Sequence, residues 1–223
     1  MKILVACEES QAVTIEMRRL GHEAYSCDIE PCSGGHPEWH IMQDVIPLIN
    51  GRCKFKTMDG KEHEITSKWD LLICHPPCTY LSNAGARHLW KGHKLNEERY
   101  QKGLEAKAFF ETLWKADCDR VVVENPVPSR IYELPPYTQT VQPHDYYGKE
   151  HPYTKKTCLW ERGVKPLVPV PFPVSWTVKM KKKQKETQDI LSYHSQAAGC
   201  SDKARAKASG GRQPIEECGR TGL

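Results

Sequence analysis

Several things are missing from this 223-residue chain. No apolar run approaches the roughly 18 residues needed to cross a bilayer, and the opening MKILVACEES turns acidic too early for an export signal. A soluble, cytoplasmic protein with no membrane partner is therefore expected. The ten cysteines are irregularly spaced and include no Cys-x2-Cys pair, so reduced thiols are expected rather than a disulfide framework. A zinc cluster would have to combine Cys27 and Cys32 with His36 and His40. Those spacings are tolerable, but glycines and acidic residues intervene, and no metal is expected. The first loop, CEES, also lacks the Gly-x-Gly-x-x-Gly pattern that binds a pyrophosphate at a helix start. A nucleoside-type cofactor without phosphates fits such a loop better.

What is present points to an α/β core. Hydrophobic residues make up 39% of the chain, enough for a single core plus an extension. Lys2 to Ala6 reads as a central strand, and from Ser10 the period changes to 3.6, with Val13, Met17 and Leu20 on one face and Gly21 as a stop. Ala24 to Cys27 resumes a strand and closes a βαβ unit. Asp28 and Glu30 stand at its end, where nucleotide-binding folds place a carboxylate for ribose hydroxyls. Within HPEWHIMQDV a short strand is expected to aim Asp44 at the same cleft, and Lys54 to Ser67 reads as a surface hairpin.

The stretch DLLICHPPCTYLSNAG, Asp70 to Gly85, is a short buried strand stopped by two prolines. It delivers Cys78 to a strand's carboxyl end, where open α/β sheets bind ligands, which makes that thiol a candidate nucleophile. A buried structural cysteine is the competing reading. Thr79 to Leu95 is polar, with donors and glycines suited to a mobile lid or a plain loop. Asn96, Glu97 and Glu98 cap a long helix whose Ala106, Phe109, Phe110, Leu113 and Trp114 are expected in the core. Val121 to Val123 is a second buried strand, ending in Glu124, Asn125 and Pro126, so thiol and carboxylate could share one cleft.

In this order and context, Pro76-Pro77-Cys78 with Ser82 to Gly85, and Glu124-Asn125, resemble the motifs of the DNA cytosine-5 methyltransferases over most of residues 1 to 160. The resemblance implies a Rossmann-like, doubly wound, mostly parallel sheet that binds S-adenosylmethionine. Ala6, Cys7, Glu8, Ser10, Asp28, Ile29, Asp44, Val45, His75 and Pro76 would surround the cofactor. Cys78 would add to C6 of cytosine while Glu124 acts at N3, and Pro77, Ser82, Asn83, Asn125, Lys155 and Lys156 would meet the base and its DNA. The base would leave its stack to react, helped by the loop beginning at Thr79. Tyr147 and Gly148 look like the family's aromatic-Gly element.

The chain departs from the family in its first loop, in Pro126 where valine is usual, and in lysines where arginines are usual. Residues 161 to 223 hold a proline-rich linker, KPLVPVPFP, and a basic run of Lys179, Lys181, Lys182, Lys183 and Lys185. They end in a polar segment expected to be partly disordered, which leaves little room for a target-recognition domain. The expectation is a compact, monomeric, phage-type enzyme of low sequence selectivity. Two alternatives stay open: the same fold acting on a nucleotide, RNA or another pyrimidine, and a degenerate protein that only binds nucleic acid.

Overall fold

The computed structural model describes residues 1–147 and 154–169. Strand β1, Lys2–Ala6, is buried from Ile3 onward. Helix α1, Ala12–Arg19, lays Val13 and Met17 against Ile3, Val5, Ala24 and Leu71. Leu20, expected on that stripe, is 58% exposed. The helix has ended by then: Gly21 adopts a left-handed φ of 83° and its N–H donates to the Arg18 carbonyl, turning Leu20 outward.

Strand β2, Glu23–Asp28, pairs parallel to β1, and β3, His40–Met42, pairs parallel to β2. Strands β4, Cys53–Lys56, and β5, Glu62–Ile65, form the expected hairpin, whose Phe55 and Ile65 plug into the core. The chain then crosses back to β6, Leu71–Cys74, which lies parallel to β1 on the side away from β2. The strand order therefore reverses beside β1, the point at which doubly wound sheets open a ligand crevice.

After β6 come a helical turn, α2, Asn83–Ala86, and a small ribbon of β7, Trp90–Lys91, and β8, Lys94–Leu95. This segment is anchored: Leu81 and Leu89 are buried, and the Arg99 guanidinium donates to the carbonyls of Thr79 and Gly85. Helix α3, Glu97–Trp114, starts at Asn96, whose side chain accepts from the Arg99 amide. Its Phe110 and Leu113 cover the sheet face opposite α1.

Strand β9, Val121–Pro126, pairs parallel to β6. Two antiparallel strands then extend the sheet, β10, Gln139–Val141, at the edge and β11, Thr157–Arg162, between it and β9. The full order is β10-β11-β9-β6-β1-β2-β3, a seven-stranded mixed sheet whose five central and distal strands from β9 to β3 are parallel. The parallel core agrees with the sequence expectation; the antiparallel β10–β11 pair was not anticipated. Gly148, the linker from residue 170 and the basic run at 179–185 lie outside the described residues.

Candidate active site

A cleft of about 610 Å³ opens where the carboxyl ends of β1, β2 and β3 meet α3. That volume falls within the range of about 300–1,000 Å³ common for small-molecule sites. Cys7, Asp28, Ile29, Asp44, Val45 and Pro77 line it, as do Glu30, Tyr80, Lys102, Glu105 and Phe109. Ile29 is 74% exposed at its edge, an apolar surface suited to cover a flat heterocycle. Asp28 and Asp44 each use one oxygen to accept the amide two residues on, from Glu30 at 3.1 Å and Ile46 at 3.0 Å, which fixes both carboxylates at the rim.

The first loop reaches a glycine-like shape without glycine. Cys7 and Gln11 both hold left-handed φ values, 59° and 58°, a conformation that disfavours residues with a Cβ by roughly 1–2 kcal/mol each. Other contacts hold the loop in place. The Glu8 carboxylate accepts from the Val13 and Thr14 amides and from the Thr14 hydroxyl, capping α1 in place of Gln11. Gln11, fully buried, donates to Ser26 Oγ and the His36 carbonyl and accepts the His36 amide. The Cys7 and Glu8 amides both donate to the Cys27 carbonyl.

Several residues expected around the cofactor lie outside the cleft lining. Glu8 is committed to the start of α1, Ser10 is exposed outside the cleft lining, and Ala6 and Pro76 are buried beneath it. Burial, reinforced by Asp28 and Asp44, pushes the Cys7 thiol up to about 12. Burial followed by Cys7 does the same for Cys27, also to about 12. Both are thus neutral sulfurs on the cleft floor at ordinary pH. His40, considered above as a zinc ligand, has both ring nitrogens engaged, with Ser26 Oγ at 2.8 Å and the Glu30 carbonyl at 2.9 Å. Among the described residues no group of three or more His, Cys, Asp or Glu side chains is placed to hold a metal.

The second half of the site lies along β6 and β9. Cys78, partly exposed, sits between Pro77 and Tyr80, both in the cleft lining, and its carbonyl accepts from the Ser82 amide at 2.9 Å. Ser82 is buried and caps α2 through its hydroxyl, which accepts from the Gly85 amide, so it braces the turn, while Asn83 is exposed. Since Cys74 pairs with Val123, His75 and Glu124 follow as neighbours. The His75 Nδ1 lies 3.6 Å from a Glu124 carboxylate oxygen, so His75 faces the carboxylate and not the cleft. Lys155 and Lys156 are exposed, just before Thr157, the partner of Pro126 in the ladder.

Asn125 is fully buried on the opposite face from Glu124, and neither its Nδ2 nor its Oδ1 has a partner; His75 Nε2 is likewise buried and unpaired. Each such group costs about 1–3 kcal/mol. Sequence reading missed the α3 contribution to the cleft, because Phe109 carries the same helical spacing as the buried Phe110. It also missed the exposed Trp90, which stands 52% accessible on the ribbon beside Arg87, Lys91 and Lys94.

No protein-family model matches the chain, and no curated protein does. Among solved structures, one from E. coli, described as a DNA modification methyltransferase encoded within a prophage, aligns over 72% of this chain at 13% identity with a TM-score of 0.42. The aligned region spans 46% of that protein, just under half its length. A likeness of that size assigns neither a family nor an activity.

Proposed function

We propose that this chain is an S-adenosylmethionine-dependent methyltransferase acting on C5 of cytosine in DNA. The carrying observation is the arrangement at one end of the parallel sheet: a cleft with Asp28 and Asp44 at its rim, the Cys78 turn at its edge, and Glu124 on the next strand. The cleft residues fit the cofactor's parts. Asp28 and Glu30 suit ribose hydroxyls, Asp44 suits the adenine amino group, and Ile29, Val45 and Phe109 suit the ring faces. Bound there, S-adenosylmethionine supplies the methyl group that C5 takes up.

The protein's own part is to make C5 nucleophilic. Cys78 adds as a thiolate to C6, and the ring's displaced electron pair runs to N3. Glu124 meets that charge by giving a proton to N3, and loss of the C5 proton later expels Cys78. A DNA substrate is supported by the stretch from Leu71 to Asn96, which contains no acidic residue and carries Arg87, Lys91, Lys94 and exposed Trp90 in the segment that follows Cys78. Nucleoside mass spectrometry of duplex DNA incubated with protein and cofactor tests the reading. It predicts 5-methyl-2′-deoxycytidine as the product, and methyl groups on an exocyclic amine, or on RNA alone, would contradict it.

A further inference from the structure

We infer that His75 is the positioning residue that supplies the proton Glu124 gives to cytosine N3, an inference that rests on the reaction proposed above. A glutamate in water is ionised at neutral pH, so a carboxylate asked to protonate N3 needs a source. His75 stands where one is needed. Its backbone N–H is fixed on the Ala6 carbonyl at 2.9 Å, and two prolines follow it, so the ring is delivered from a rigid strand end. Its side chain shares a sheet face with Ile73, Val122 and Glu124, with Nδ1 3.6 Å from Glu124 Oε2. The gap is longer than a hydrogen bond, as catalytic contacts often are before substrate closes the site.

His75 differs from His40 in how its ring is bonded. The His40 ring is buried with both nitrogens bonded, as a histidine serving the core should be. His75 keeps Nε2 buried without a partner and directs its other nitrogen at the carboxylate. The charged group that faces His75 is Glu124, whose ladder partner on β11 is the uncharged Leu159.

The proton balance is simple. As the Cys78 Sγ–C6 bond forms and the pair displaced from the C5–C6 bond reaches N3, the His75 imidazolium passes its Nδ1 proton to the Glu124 carboxylate, which passes it on to N3. His75 is left as the neutral imidazole. The net transfer is one proton from His75 to N3 with Glu124 returned to its starting state. When the C5 proton leaves to solvent and the C6–S bond breaks, the N3 proton goes back along the same path.

The test is the rate of covalent adduct formation on duplex DNA containing 5-fluorocytosine, with S-adenosylmethionine present. His75→Ala should slow it about 100-fold, with cofactor and DNA affinities within about twofold of the parent and added imidazole restoring at least about tenfold of the loss. His75→Gln, which keeps volume but cannot release a proton, should show the same loss without depending on how well the alanine variant folds. A parental rate in either variant, or a slow His75→Ala that imidazole leaves unchanged, overturns the role of His75. If the unaltered protein forms no adduct, the cytosine-C5 reading fails first and this inference falls with it.

Discussion

The two halves of the site handle their polar groups in opposite ways. Around the cleft at the ends of β1 to β3, buried polar side chains are used internally: Glu8 caps α1, Gln11 clamps two loops, and His40 bonds through both nitrogens. Along β6 and β9, one strand away, His75 Nε2 and both amide atoms of Asn125 are buried and unpaired. Satisfied networks rigidify, whereas unsatisfied ones cost stability and mark places where function overrides it. The cleft side is thus internally braced, and the β6–β9 pair in the middle of the sheet carries the unpaired polar groups.

Separating the halves by mutation should give effects of different kind and size. The largest on binding is expected in the cleft. Asp44→Asn or Asp28→Asn should weaken S-adenosylmethionine about 10- to 100-fold by calorimetry, each losing a charge-assisted contact, while DNA affinity stays unchanged. Equal losses for both ligands would break the division.

Stability should then move in opposite directions on the two sides. Glu8→Ala removes the cap of α1 and leaves its amides short of an acceptor, and should destabilise by about 2 kcal/mol, lowering Tm by about 6 °C. Asn125→Leu replaces an unpaired buried amide with a side chain of similar shape and should stabilise by about 1 kcal/mol while reducing methyl transfer. A destabilised Asn125→Leu would show that the amide has a partner in solution.

The smallest effect concerns the cleft floor. With its thiol pushed from 9.0 up to about 12, Cys7 should react with iodoacetamide at pH 8 roughly 30-fold more slowly than an unburied thiol, the loss of thiolate being partly offset by its higher nucleophilicity. The sign for stability follows from the same shift. The folded state keeps the proton longer than the unfolded chain, so the contribution is complete below pH 9 and is lost as pH rises toward about 12. A Cys7→Ser variant should flatten that alkaline decline, read by thermal unfolding across the range.

Much of this architecture was legible in the residues. The β1-α1-β2 unit, the hairpin, the β6 strand with its prolines, the Asn96 cap and the β9 strand ending at Glu124 are where period and punctuation placed them, because each carries a strong local signal. The rest depends on tertiary contacts. That Glu8 turns inward to cap α1, that Phe109 faces a cleft while Phe110 faces the core, and that His75 meets Glu124 across two strands are consequences of register and packing. The antiparallel β11 depends on its pairing with β9 and β10, contacts that no local signal in TCLWER specifies.

The central claim is that Cys78 is the nucleophile, and one measurement addresses it directly. Duplex DNA carrying 5-fluorocytosine is incubated with the protein and S-adenosylmethionine, and any covalent complex is digested and mapped by mass spectrometry. A methylated fluorocytosine attached to the peptide that holds Cys78, and absent from a Cys78→Ser variant that still binds the cofactor, is the expected result. An adduct on another cysteine, or methyl transfer that survives the substitution, would contradict the account.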